Sequence, residues 1–278
     1  MRLGGPVFEK HVDASGWVRE VRRLGWSAVY CPVDADAPDD VVREYVDAAS
    51  DADLVIAEVG AWSNPLDPDD AKRAQALDFN RRQLALADRV GARCCVNISG
   101  SRGTRWDGPH ADNLTEDTFD RVVQTVRAII DDVKPKRTYY TLETMPWMFP
   151  DSVESYVRLI EAVDRERFGV HLDPVNLVSS PVRYFRNAEL IRECFARLGP
   201  HIRSCHAKDI RLDDRLTTHL DEVRPGLGVL DYRTYLVELD RLDVDMPLML
   251  EHMKKPEDFA AGAEYIRGVA AGVHVTIR

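Results

Sequence analysis

Eight times along its 278 residues the chain repeats one pattern, a short apolar run followed by an amphipathic stretch. Strands and helices in strict alternation build parallel sheets, because parallel neighbours need a crossover connection and a helix supplies it. Eight such units are the number that closes a (β/α)8 barrel, the TIM-barrel form of the α/β class. The strand runs are Met1–Phe8, Ser27–Pro32, Leu54–Gly60, Cys94–Ser99, Thr138–Glu143, Phe168–Asp173, Ile202–Lys208 and Leu248–Glu251. Helices are expected near Ser15–Leu24, Asp39–Ser50, Asp69–Val90, Thr115–Val133, Ser152–Val163, Asn187–Leu198, Tyr232–Arg241 and Pro256–Ala270. In the fourth helix Phe119, Val122, Val123, Val126, Ile129, Ile130 and Val133 recur at helical spacing and form a core stripe. Gly91 and Gly199 stand where helices stop, and Asn187 stands where one can be capped. No Gly/Ser linker, charge block or short repeat divides the chain, so one barrel over residues 1–278 is expected.

Composition narrows the partners. The net charge is −10, from 37 basic against 47 acidic side chains, which argues against a nucleic-acid or anionic-membrane partner. No run of ~18 apolar residues is present, so no membrane span is expected. The opening MRLGGPVFEK has no charged-then-apolar leader, so no secretory signal is expected. Five cysteines, Cys31, Cys94, Cys95, Cys194 and Cys205, are odd in number and form no CxxC pair. That reads as reduced thiols in the cytoplasm, packed as small hydrophobes. The GLG at Gly226–Gly228 is too short to cradle a phosphate, and no GxGxxG follows a strand.

Four strand runs end on an ionisable group. They are YTLETMP with Glu143, GVHLDPVN with Asp173, IRSCHAKD with His206 and PLMLEHM with Glu251. The C-terminal ends of barrel strands are where such folds present functional groups. Side chains alternate along a strand, so Tyr139, Thr141 and Glu143 share a face, as do His171 and Asp173, Ser204, His206 and Lys208, and Met249, Glu251 and Met253. The opposite parity holds mostly Leu142, Leu172, Cys205, Ala207 and Leu250, which suit packing under outer helices. If the polar faces point inward, four ligand-type groups converge at one mouth. Charges buried there are costly without compensation, and a bound cation supplies it. Three carboxylates and one imidazole form a hard donor set, suited to Mn²⁺, with Mg²⁺ or Co²⁺ as alternatives, rather than to structural zinc.

These residues carry a family resemblance. Over nearly its whole length the chain resembles the xylose-isomerase-like barrel superfamily, in its branch of sugar (phosphate) isomerases and epimerases. The likeness is sharpest at LETMPW, GVHLDPVN, CHAKD with the later PGLGVLDY, and LEH. It implies that Glu143, Asp173, His206 and Glu251 bind one divalent metal, and that Glu143 and Glu251 also serve as acid/base groups. It implies a small-molecule sugar or keto-sugar substrate and, because dimers and tetramers are frequent in the family, self-association. One departure stands out. Many relatives carry histidine three residues after the aspartate, where this chain has Asn176. In ketose 3-epimerases that histidine helps hold the substrate; in related DNA-repair endonucleases it joins a zinc cluster. Asn176 can hydrogen-bond a hydroxyl but is a poor metal ligand.

The expected chemistry is proton abstraction next to a carbonyl, through a metal-stabilised enediolate, by one glutamate. Return of the proton to the opposite face gives an epimer, and return at the neighbouring carbon gives an isomer. The same enediolate can instead expel a β-substituent, giving a lyase of the inosose dehydratase or 3-keto-glycoside deglycosidase type. A DNA-repair type endonuclease and a non-catalytic sugar-binding barrel are more remote alternatives. Substrate contacts are expected from Asn176, Lys208, Glu58, Asn97, Trp106 and His171. Lys208 is equally suited to a salt bridge with Asp209 or another acid, and His171 to a hydrogen bond to a ligand or a place in the core. Ser99, Trp62 and Trp147 are further candidates, and Arg102, Arg105, Arg211 and Arg215 are the loop cations able to clamp a phosphate.

Overall fold

The computed structural model describes residues 1–278. Its strands in chain order are β1 (Arg2–Gly5), β2 (Ala28–Tyr30), β3 (Val55–Gly60), β4 (Cys94–Asn97), β5 (Tyr140–Glu143), β6 (Phe168–Leu172), β7 (Ile202–Ala207), β8 (Asp209–Asp213), β9 (His219–Val223) and β10 (Pro247–Leu250). All but β8 and β9 are parallel and close a barrel in the order β1-β10-β7-β6-β5-β4-β3-β2. The helices are α1 (Ala14–Leu24), α2 (Asp39–Asp51), α3 (Asp70–Val90), α4 (Glu116–Val133), α5 (Val153–Val163), α6 (Pro174–Leu177), α7 (Pro181–Phe185), α8 (Asn187–Leu198), α9 (Tyr232–Asp240) and α10 (Pro256–Gly272). The eight barrel strands and eight main helices are those the alternation predicts.

Two cores hold the layers together. A large cluster of 62 buried residues fills the space between strands and helices. A small one, Ala28, Ala57 and Met249, fills the barrel lumen. The lumen is tight: a Cβ on Gly4 would lie 2.3 Å from the Ala28 carbonyl oxygen and 2.6 Å from Met249 Sδ, so glycine is required there. Helix starts follow their capping chemistry. Asp13, Asp69, Thr115 and Ser152 each accept a first-turn backbone N–H, and Ser152 with Ser155 forms a reciprocal box. Gly25 and Gly91 end α1 and α3 in the left-handed region. Asn187 is not a cap: its amide bonds the carbonyls of Tyr184 and Val229, and its oxygen accepts Asp231 N–H.

The alternation did not predict everything. The stretch expected to be a loop after β7 contains an antiparallel hairpin, β8 on β9, with Asp209 opposite Val223 and Asp213 opposite His219. Two short helices, α6 and α7, fill the connection from β6 to α8. Strand β3 carries one residue too many opposite β2: Val29 pairs Ile56, but Tyr30 pairs Glu58. The extra residue, Ala57, is a β-bulge, and such bulges re-aim the side chains that follow.

Candidate metal centre

Each ring residue is delivered by the end of a strand. Glu143 closes β5 and His206 lies within β7, while Asp173 and Glu251 are the first residues past β6 and β10. Pro174 stops β6 and opens α6, which lets Asp173 act as its cap. Asp173 Oδ1 accepts Val175 N–H at 2.9 Å, so the carboxylate is fixed by backbone while Oδ2 turns into the barrel mouth. One donor atom from each of Glu143, Asp173, His206 and Glu251 falls within 4.8 Å of the others. His206 Nδ1 lies 2.8 Å from Glu251 Oε1, 3.0 Å from Glu143 Oε1 and 4.0 Å from Asp173 Oδ2.

The donor set fits a divalent cation. Asp173 Oδ2 and Glu251 Oε1 are buried and accept no well-aligned hydrogen bond. Such atoms are costly unless a cation faces them. Lys208 Nζ is the cation this chain provides, 2.7 Å from Asp173 Oδ2, 2.5 Å from Glu251 Oε1 and 3.7 Å from Glu143 Oε1. Its fourth neighbour, Glu222 Oε2 at 3.4 Å, comes from the hairpin strand β9. Lys208 is therefore paired, but not with the adjacent Asp209. Asp209 instead accepts the N–H groups of Ile210, Gly226, Gly228 and Leu230 and pins the loop that the PGLG motif forms.

Electrostatics follow from this crowding. Burial alone would lower the basicity of His206 and Lys208, but the facing carboxylates outweigh it and hold both well above their ordinary values. Burial pushes Glu251 and Glu143 upward, while His206 and Lys208 pull harder, so both glutamates stay below the usual carboxylate range. Asp173, fully buried and facing two other acids, is pushed up to about 6, mainly by its burial.

Beneath the ring lies a second buried polar layer. Glu58 crosses the lumen to His171 Nε2 at 2.8 Å, to Ser204 Oγ and to His206 Nε2 at 3.4 Å. Glu58 and His171 are 1% and 0% exposed, closed off from the mouth. The expectation of substrate contact for these two is corrected: the bulge at Ala57 turns Glu58 inward, and His171 faces it one layer below Asp173. Asn97 is corrected in the same way. Its side chain points out of the barrel, accepting Ser63 N–H at 3.2 Å and donating to Asn80 Oδ1 of α3 at 3.1 Å.

Above the ring is an open pocket of about 440 Å³. Glu143 and Glu251 form its floor, Trp62, Trp106, Tyr30 and Ile98 much of its wall, and Asp107, Met145 and His252 the rest. Trp106 lines the pocket, and the Trp62 ring packs on Gly60, where a Cβ would meet its Nε1 at 2.4 Å. Asn176 reaches Glu143 Oε1 at 3.2 Å and the Thr144 carbonyl at 3.0 Å, so it orients a ring residue. Tyr30, Ile98, Met145, Asp107, His252 and Glu222 were not singled out in the sequence. His252 adjoins Glu251 in the LEH motif, which was a usable signal. Its Nδ1 lies 3.1 Å from Glu222 Oε2. No lysine or arginine lines the pocket. Arg102, Arg105 and Arg215 are engaged by Asp117, Asp107 and Asp213.

Fold and site together define a (β/α)8 barrel with an acidic, metal-type centre at the C-terminal mouth. The chain belongs to the xylose isomerase-like TIM barrel family, whose sequence model matches residues 18–269. No curated protein sequence matches it. Among solved structures it is similar to a D-psicose 3-epimerase from Clostridium cellulolyticum H10 crystallised with D-tagatose, at 15% identity and TM-score 0.69, covering 97% of this chain and 99% of that one. It is also similar to AsbF of Bacillus anthracis, a probable 3-DHS dehydratase of petrobactin synthesis, at 16% identity and TM-score 0.70, covering 95% and 98%. A third is a xylose isomerase-like TIM barrel protein of Mycobacterium smegmatis in complex with magnesium, at 20% identity and TM-score 0.67, covering 94% and 90%. At these identities the likeness establishes the fold.

Proposed function

We propose that the protein is a divalent-metal-dependent isomerase or epimerase acting on a sugar or sugar derivative by proton abstraction next to a carbonyl. The observation that carries this reading is the pocket floor. Two glutamates from β5 and from the end of β10, separated in the barrel by β6 and β7, reach the same cavity beside an acid/imidazole ring. A divalent cation held by Glu143, Asp173, His206 and Glu251, Mn²⁺ foremost, would supply positive charge that polarises a substrate carbonyl and acidifies the adjacent C–H.

The chain's own residues do the rest. Both glutamates are held in their ionised form, so either can accept a carbon-bound proton at neutral pH. One removes the proton and can return that same proton at the neighbouring carbon, which gives an isomer; an epimer forms when the other glutamate, after taking a proton from solvent in the open pocket, delivers it from a different side of the floor. Asn176 holds the Glu143 carboxylate in place. Lys208, buried and outside the pocket lining, holds the Asp173 and Glu251 carboxylates by its ammonium. Trp62 and Trp106 provide flat apolar walls for a sugar face, and a pocket without lysine or arginine in its lining favours a substrate that is not phosphorylated. The five free cysteines suit a reducing cytoplasm, and no helix is long and apolar enough to cross a membrane.

A lyase acting on a keto-sugar is the second reading, favoured by His252. Its imidazole is held beside Glu251 by Glu222, whose hydrogen bond raises its basicity, and it stands on the pocket wall where a leaving hydroxyl would need an acid. Incubation with ketoses, inososes and 3-keto glycosides in D₂O tests both readings. Deuterium next to the carbonyl marks proton abstraction, and the products separate epimer from eliminated species. Exchange is expected to vanish in Glu143→Gln or Glu251→Gln; exchange retained in both removes them from the acid/base role.

A further inference from the structure

The buried layer behind the ring has no part in the chemistry above, yet every member touches another. Glu58 Oε1 meets His171 Nε2 at 2.8 Å and accepts the Ser204 hydroxyl, which leaves Oε2 to face His206 Nε2 at 3.4 Å. The His171 and His206 rings meet edge to face with centroids 4.1 Å apart, so neither can rotate freely. His206 turns its other nitrogen, Nδ1, to the ring, 2.8 Å from Glu251 and 3.0 Å from Glu143. A neutral imidazole carries one proton and one lone pair, and the partner of one nitrogen decides which nitrogen keeps the lone pair. With a cation on the ring carboxylates, Glu251 and Glu143 no longer compete for the proton; Glu58 at Nε2 then keeps it there and leaves the lone pair on Nδ1, aimed at the ring.

We propose that Glu58 is the positioning residue of the metal centre: clamped by His171 and Ser204, it holds the His206 Nε2–H and so presents Nδ1 to the divalent ion. The proposal rests on the ring being a metal centre and goes beyond it, because Glu58 comes from the far side of the barrel and reaches His206 only through the bulge at Ala57. The same three residues, Glu58, His171 and His206, have donor atoms close enough to hold an ion of their own. Direct hydrogen bonds already fill the facing donors of Glu58 and His171, so the layer serves as a support.

The test is Mn²⁺ binding to the whole chain by isothermal titration calorimetry, paired with ¹⁵N spectra of the histidine rings in the Mg²⁺-loaded, diamagnetic form. Wild type is expected to bind one ion, with His206 protonated on Nε2. Glu58→Gln is expected to bind 10–100-fold more weakly, and its Mg²⁺-loaded form to show the His206 Nε2 resonance displaced from its wild-type position. Ser204→Ala, which frees one Glu58 oxygen without touching His206, is expected to lose several-fold, and it decides the matter if Glu58→Gln does not fold. Unchanged affinity in the folded variants, or an unchanged His206 spectrum, overturns the positioning role while leaving the metal centre intact. Two ions in wild type with one lost in Glu58→Gln would make Glu58 a ligand and also overturn it. Failure of wild type to bind any divalent ion would overturn the metal centre itself, and the proposal with it.

Discussion

Lys208→Met probes how the ring is held together. Met preserves much of the buried stem and deletes only the ammonium, which lies 2.7 Å from Asp173 Oδ2 and 2.5 Å from Glu251 Oε1. Lys208 is almost fully buried, and those two oxygens have no well-aligned hydrogen bond to fall back on. Removing one partner of a buried ion pair costs about 3–5 kcal/mol, because the remaining charge is left without compensation. For a chain of this size each kcal/mol lowers Tm by about 2–4 °C, so the metal-free variant should melt about 6–20 °C below wild type. The assay is thermal unfolding in EDTA at pH 8 and above, because loss of the ammonium raises Asp173 further and its protonation relieves the variant at lower pH. With saturating Mn²⁺ the ion faces the same oxygens, and the gap should narrow sharply. Ligand stabilisation grows as RT ln(1 + [L]/Kd), so the variant should also gain more from metal than wild type does. A loss below about 1 kcal/mol in EDTA, or an equal loss with and without metal, would falsify the view that ammonium and metal ion compensate the same carboxylates.

Other consequences follow from the same coordinates. Asn97→Ala breaks the bonds to Ser63 and Asn80 outside the barrel, so it should cost about 1–3 kcal/mol of stability with kcat/KM of the folded fraction unchanged; a large drop in kcat would return Asn97 to the site. Trp106→Ala removes a pocket wall and should raise KM more than it lowers kcat, read from initial rates; the reverse split would place Trp106 at the reacting atoms. Asp173, raised by burial to about 6 against an ordinary 3.8, holds a proton in the folded metal-free chain that the unfolded chain has already released between those values. Its contribution favours folding below pH 3.8 and is withdrawn as the pH rises through about 6, a total of about 3 kcal/mol. Asp173→Asn should therefore gain on wild type by about 1 kcal/mol between pH 5 and pH 7 in EDTA melts, and a pH-independent difference would contradict the raised value.

The barrel was legible because its signal is periodic and repeated. Each unit pairs a strand run with an amphipathic helix, and the error in any one boundary does not disturb the sequence of eight. The convergence of Glu143, Asp173, His206 and Glu251 was legible for a related reason: strand alternation holds up to the strand end, and Leu142, Leu172, Cys205 and Leu250 mark the outer face. Alternation failed where the backbone departs from it. The bulge at Ala57 reverses the parity of Glu58, so a residue read as a rim contact becomes a lumen-crossing carboxylate. Asn97 was misread because the sequence does not say which parity of β4 faces the mouth; in the structure Ile98 beside it lines the pocket. The β8–β9 hairpin went unseen because its strands, DIRLD and HLDEV, are half polar. Ile210, Leu212 and Leu220 do alternate there, and reading them as a hairpin would have carried Glu222 toward Lys208.

The central claim is that the four strand-end residues form a centre for one divalent cation. Equilibrium dialysis of EDTA-stripped protein against Mn²⁺, with bound metal counted by mass spectrometry, tests it most directly. The account predicts one ion per chain, lost in Asp173→Asn and kept in Asn97→Ala. No bound ion, or an ion bound equally by the Asp173→Asn variant, would contradict it.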